Sequence, residues 1–405
     1  MTTLAPAQPV TRSWTLGFTL VWLGIWMAWL VPVQLLLPDQ LYDVDRVHRV
    51  RDFAVINGLV GVVSIIVLPL FGALCDRTRS RFGRRRIWVA LGTVVFAAGL
   101  VLTGLQTQWT GVAACWVLAS LGYAMVSAGL TATIADRVPE SQRGMISGAM
   151  FGPQALGIVL GILAVGAVGP TVGRYGLLTV VLVVLTLPFL AVHRDRDRAT
   201  DEPLRLRAVV GSLWVDPRAN PDFGWAFAGR LLVNLGNAFG TTYLLFFLRD
   251  ALEVADPEGA LLQLTLLYLV GTVAATLVAG WLSDRTGKRR VFVAVASATQ
   301  AVAAILLAAF PSMDTALVAS GLLGLGYGAF LSVDQALVTA VLPDAADRAK
   351  DLGVLNVGSS TPQALGPLLA GLVISSPGGY SALFYLAGVV TLVGAALVYR
   401  IRSVP

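Results

Sequence analysis

Apolar runs of about twenty residues recur along the whole chain, and a stretch of that length is what a bilayer's hydrocarbon requires. They fall at 14–37, 54–75, 87–106, 110–134, 145–168 and 173–193. After a polar stretch they resume at 224–248, 261–282, 291–310, 315–341, 352–375 and 381–400. Twelve membrane crossings are expected, and the first run is too long for a signal-peptide core. Charge is correspondingly scarce: 13% of the 405 residues, against about 25% in a soluble domain. That excludes an ordinary water-soluble enzyme. Disorder is excluded too, since it needs low hydrophobicity and 56% of this chain is hydrophobic. The fold class is therefore all-α, a polytopic protein whose partner is the lipid bilayer.

Basic residues orient it. Arg77, Arg79, Arg81, Arg84, Arg85 and Arg86 stand between runs two and three; Arg285, Lys288, Arg289 and Arg290 stand between runs eight and nine. The stretch after run six adds Arg194, Arg196, Arg198, Arg205, Arg207 and Arg218. The opposite loops carry only Arg46, Arg49, Arg51, Arg174 and Arg249. Positive loops stay in the cytoplasm, so both termini are expected there, in an inner or plasma membrane. The net charge of +6 lies in these clusters rather than on one basic face, so no nucleic-acid partner is implied. Cys75 and Cys115 have no disulfide or metal spacing, and no spacing argument joins His48 and His193 into a metal cluster or catalytic dyad.

The chain repeats itself. Asp76-Arg77-Thr78 recurs at Asp284-Arg285-Thr286, offset 208; Pro153-Gln154-Ala155-Leu156-Gly157 recurs at Pro362, offset 209; Leu121-Gly122-Tyr123 recurs at Leu325, offset 204. Two six-span halves follow, residues 1–193 and 224–405, joined by a cytoplasmic linker at 194–223. Such paired halves are a common build for secondary transporters. In the linker, Leu204, Leu206, Val209, Val210, Leu213 and Trp214 fit an interfacial helix and fit a solvated connector equally well.

The loop after run two contains Gly72, Asp76, Arg77, Gly83, Arg84 and Arg85; the loop after run eight contains Gly280, Asp284, Arg285, Gly287, Lys288 and Arg289. This pattern resembles the signature loop of the major facilitator superfamily. The resemblance implies twelve helices in two pseudo-symmetric six-helix bundles, working by alternating access. The first loop is four residues longer than the second, and in this it looks like glycoside–pentoside–hexuronide and sucrose-type sugar–cation symporters. Glycine permits close helix approach, and the aspartate suits a helix N-terminus or an arginine of a neighbouring loop, Arg143 or Arg348. These residues would latch a cytoplasmic gate, although basic loops also serve topology alone. Gly144, Gly148, Gly152-Pro153 and Gly157 are similar to the glycine–proline motif of drug–proton antiporters, with the final glycine pair displaced. Since run eleven repeats the core of that motif, close packing explains it better than antiport.

Only two charges lie well inside runs, Arg230 and Asp334. Arg230 stands nine residues after Pro221 and Asp334 nine before Pro343, which at 1.5 Å per residue puts both at ~13 Å depth. A lone charge there costs several kcal/mol, so the two are expected to pair, as a proton-coupling site or as a permanent structural bridge. Arg230, Asn234, Asn237 and Thr241 share one helix face, and Tyr327 shares a face with Asp334. In the first half, Tyr123, Ser127 and Thr131 form a stripe, and Trp22, Trp26 and Trp29 an aromatic one that suits a sugar ring, a flat drug or lipid contact. Gln154 and Gln363 occupy matching places in runs five and eleven.

The expected function is secondary active transport, without cofactor, driven by an ion gradient with protons favoured, of a sugar- or glycoside-like solute, by a chain functional as a monomer. Efflux of drugs or metabolites is the rival. Apart from His193 at the very end of run six, the runs hold no histidine, and they hold one acid, which argues against an enzyme; no large soluble domain marks a receptor.

Overall fold

The computed structural model describes residues 9–193, 195, 220–340, 361–363 and 365–401. The chain opens with α1 (Arg12–Val31), a π-helical turn (Pro32–Leu36) and α2 (Leu37–Val44), then α3 (Arg49–Arg77), α4 (Arg86–Gly104), α5 (Trp109–Arg137), α6 (Glu140–Gly166) and α7 (Thr171–Val192). Beyond the linker come α8 (Pro221–Thr242), α9 (Leu244–Asp250), α10 (Pro257–Thr286), α11 (Arg289–Ala309) and α12 (Met313–Ala340). The described residues close with α13 (Leu365–Ile374) and α14 (Gly379–Val398).

Helix boundaries follow local chemistry. Thr11 caps α1 by accepting the Trp14 N–H, and Asp256 caps α10 by accepting that of Gly259. Pro221 opens α8, where its missing N–H costs nothing. Gly287, at φ +69, ends α10 in the left-handed region.

Among the described residues ten helices are long and apolar enough to cross a bilayer, with α1 to α2 counting as one, and α8 with α9, bent by 41°, makes an eleventh. The remaining expected run, 352–375, lies partly outside the described residues. The surface is that of a membrane protein: Ile66, Val94, Leu277 and Leu372 are each more than 60% exposed. Apolar exposure on that scale would aggregate in water, whereas lipid solvates it.

The chain divides into two compact units, Met1–Asp52 with Val62–Leu204, and Phe53–Gly61 with Arg205–Pro405. Their internal packing is alike. In the first, α1 packs on α7, and α4 on α5 and α7; in the second, α8 packs on α14, and α11 on α12 and α14. The repeated motifs explain why. A Cβ on Gly122 would fall inside the Phe96 backbone, and one on Gly326 would lie 2.6 Å from Gln300 Cγ. Phe96 and Gln300 are themselves 204 apart, so one crossing is built twice. Gly157 likewise seats α6 on α1, where an added Cβ would lie 3.2 Å from Trp26 Cβ, and Gly366 seats α13 on α8, where one would lie 3.1 Å from Ala238 Cβ.

Candidate functional site

The second unit holds a polar network inside an apolar helix packing. Arg230 of α8 and Asp334 of α12 pair, with Nε 3.4 Å from Oδ2 and side-chain exposures of 11% and 6%. Phe223, Ala226 and Val233 of α8, with Phe330, Val333 and Leu337 of α12, form the buried cluster along the same helices. One turn on, Asn234 is used at both ends of its amide: Nδ2 donates to the Arg230 carbonyl at 2.8 Å, and Oδ1 accepts from the Tyr327 hydroxyl at 3.1 Å. Asn237 donates to the Tyr268 hydroxyl of α10 at 3.3 Å, and the Tyr268 and Tyr327 rings stack at 6.2 Å. Thr241 bonds back to the Asn237 carbonyl at 3.0 Å. The periodic face Arg230, Asn234, Asn237 thus meets Tyr327 and Asp334, and the structure adds Tyr268.

The first unit carries an aromatic ladder. Trp22 and Trp26 pack at 5.6 Å between ring centroids, and the Trp26 indole donates to the Met150 carbonyl of α6 at 2.8 Å. Trp29 is not an outward stripe: it stacks on Tyr123 at 4.4 Å and on Trp116 at 5.2 Å, which makes it part of the helix packing. Trp22 Nε1 and Ser127 Oγ are buried without a partner among the described residues. Thr131 donates to the Ser127 carbonyl at 2.7 Å. Gln154 is half-buried, and Gln363 is exposed.

At the arginine-rich end of this unit the signature loop folds onto itself. Arg85 reaches Asp76 at 2.5 Å and Asp136 of α5 at 2.8 Å, while Arg84 reaches Asp136 at 2.6 Å. Burial opposes the charge on Arg85, but bonds to Asp136, Cys75 and Asp76 hold its guanidinium above the ordinary arginine range. Asp195 accepts the backbone N–H groups of Arg85 and Arg86 at 2.7 and 2.9 Å, closing the start of α4. Gly83 sits at φ +101, a conformation that selects glycine. Gly72 meets nothing within 4 Å among the described residues, so no close contact there accounts for it. Arg77 ends α3. The described partner of Asp76 lies in its own loop; the side chains of Arg143 and Asp284, and all of Arg348, are outside the described residues. In the second loop, Arg285 lies over the Trp281 ring at 5.4 Å.

The family model of the Major Facilitator Superfamily matches residues 14–265 and 237–405. The chain belongs to this superfamily. Its members are transporters. The lysosomal dipeptide transporter MFSD1 of Bos taurus is 30% identical over 137 residues, 34% of this chain and 28% of that protein. The multidrug resistance protein MdtL of Klebsiella pneumoniae is 29% identical over 161 residues, 40% of this chain and 41% of that one. The chain thus matches less than half the length of either relative. A solved transporter of the POT family, crystallised with a thioalcohol-conjugated peptide, superposes with a TM-score of 0.73 at 14% identity, covering 95% of each chain; this shows the shared fold.

Sequence reasoning missed Asp136, Asp195, His193 and Tyr268. Asp136-Arg137, a charged pair closing run four, was the available signal for the first. Tyr268 sits in an otherwise apolar run and offered none.

Proposed function

We propose that the chain is a proton-coupled secondary carrier of a small polar solute, sugar- or glycoside-like, in the cell membrane with both termini cytoplasmic. The observation that carries this reading is the buried Arg230–Asp334 pair at the head of a ladder of amides and phenols. A proton on Asp334 removes the carboxylate that holds Arg230, so the guanidinium is released toward a solute or water. Deprotonation restores the pair. Binding and protonation are then linked through one contact, which is what coupling requires. Asn234, Asn237, Tyr268 and Tyr327 supply donors and acceptors on a stacked aromatic surface, a chemistry suited to hydroxylated rings. The long first signature loop supports the sugar-symporter likeness, and its Arg84–Arg85–Asp136–Asp76 network supplies the latch.

A second reading, export of drugs or metabolites, is favoured by the Trp22–Trp26 ladder and by the likeness to MdtL. Thermal stabilisation of the purified protein across sugars, nucleosides, dipeptides and cationic drugs separates the two. The stabilising compound is then followed into proteoliposomes under an imposed pH gradient. Accumulation by the wild type and none by Asp334→Asn supports the coupling; equal accumulation by both refutes it.

A further inference from the structure

His193, which no spacing argument connected to anything, is buried at 1% exposure just beyond α7, and three elements converge on its ring. Its face stacks on Phe189 at 4.9 Å between centroids and 10° between planes. Its Nε2 lies 2.7 Å from Asp195 Oδ1, and its Nδ1 lies 3.1 Å from the indole Nε1 of Trp14 on α1. An indole N–H only donates, so Nδ1 is the bare, accepting nitrogen. The ring proton therefore sits on Nε2 and is donated to Asp195. The other oxygen of that carboxylate takes the N–H groups of Arg85 and Arg86, and a Cβ on Gly83 would collide with it. One neutral imidazole thus ties α1 and α7 to the signature loop.

We propose that His193 is a positioning residue for the gate, setting the register of Arg84 and Arg85 through Asp195, and that its protonation uncouples α1 from the loop. The step balances simply. A proton taken from the arginine-rich side adds to the Nδ1 lone pair, and two N–H groups then face each other, so the Trp14 bond is lost. The bond to Asp195 becomes charge-assisted and shortens. The other charged groups lining this cavity are Arg84 and Arg85 of the loop, and Asp136 and Arg137 of α5. α1 and α7 present the uncharged rings of Trp14 and Phe189 to the imidazole. The proposal does not depend on the solute or on Asp334.

The chain has only two histidines, His48 and His193, which makes a direct test possible. Full-length protein labelled with 15N in histidine and tryptophan is titrated from pH 8 to pH 5.5 in lipid nanodiscs. His48→Gln, at an exposed site, assigns the His193 signals, and Trp14→Phe assigns the Trp14 indole. At pH 8, His193 should show the tautomer protonated on Nε2. As pH falls, the Trp14 N–H should move upfield with the midpoint of His193 itself, and in His193→Gln it should not move. A Trp14 signal that stays fixed in the wild type, or moves with a different midpoint, overturns the proposal. So does movement that persists in His193→Gln. If that variant does not fold, the two wild-type midpoints decide alone.

Discussion

Arg230 and Asp334 meet across two helices at 3.4 Å within an apolar helix packing. A buried pair of this kind is worth little against two apolar residues, but removing Asp334 takes a carboxylate away from a buried guanidinium. Asp334→Ala should therefore lower stability by about 3–5 kcal/mol, while the double variant Arg230→Met with Asp334→Leu should stay near the wild type or exceed it. Thermal unfolding in detergent measures both. A double variant as unstable as the single one contradicts this account of the pair.

Tyr327 donates the one described bond to Asn234 Oδ1. Tyr327→Phe keeps the ring stacked and removes the hydroxyl, which leaves a buried amide oxygen short of its partner. The expected cost is about 1–3 kcal/mol. If the same amide also holds the solute, half-saturation should rise by roughly 3- to 10-fold, read in a counterflow assay. Unchanged half-saturation would remove Asn234 from the binding surface.

The repeated glycines make a contrasting pair of predictions. At Gly122 and Gly326 there is no room for a Cβ, so Gly122→Ala and Gly326→Ala should each cost about 1–3 kcal/mol through overpacking. Gly148 of α6 meets nothing within 4 Å among the described residues. Gly148→Ala should instead be neutral or stabilising by up to about 1 kcal/mol, since alanine loses less entropy in a helix. Melting temperatures of the three variants test this.

Asp195 allows the sign of a pH effect to be worked out. Burial works to raise its carboxyl, but the bond from His193 and the N–H groups of Arg86 and Arg85 prevail, and its pKa falls below 3.8. A depressed carboxylate contributes stability that is fully present above its unfolded value and is lost as pH falls through the folded one. Asp195 itself therefore stays ionised from pH 8 down to pH 5, and the penalty of Asp195→Asn, read as a lowered melting temperature, should not fall in that window. It should grow where His193 gains its proton and the bond becomes charge-assisted, and close only below about pH 4. An increment that shrinks steadily from pH 8 to pH 5 would contradict this.

The sequence showed the membrane, the repeat and the charge pair because each rests on local pattern: run length, offset, and two charges where hydrocarbon excludes them. It showed the Arg230–Asn234–Asn237 face because helical period is local too. It failed where partners meet only through packing. Tyr268 stacks on Tyr327 because α10 and α12 approach closely, with Gly324 and Gly328 against the Tyr268 and Thr272 backbones, and its hydroxyl meets Asn237 of a third helix, α8. Trp14, His193, Asp195 and Arg85 are joined by the fold of the first unit, and no spacing along the chain records it. Trp29 shares a helical stripe with Trp22 and Trp26, yet it stacks on α5, since a stripe of three rings is wide enough to face two neighbours.

The central claim is that one proton on Asp334 moves with the solute. Proteoliposomes loaded with a pH-sensitive dye and given the stabilising solute at uniform starting pH test it most directly. The account predicts a solute-dependent pH change inside the wild-type vesicles and none with Asp334→Asn, while both still exchange solute in counterflow. A solute-driven pH change of equal size in Asp334→Asn would contradict it.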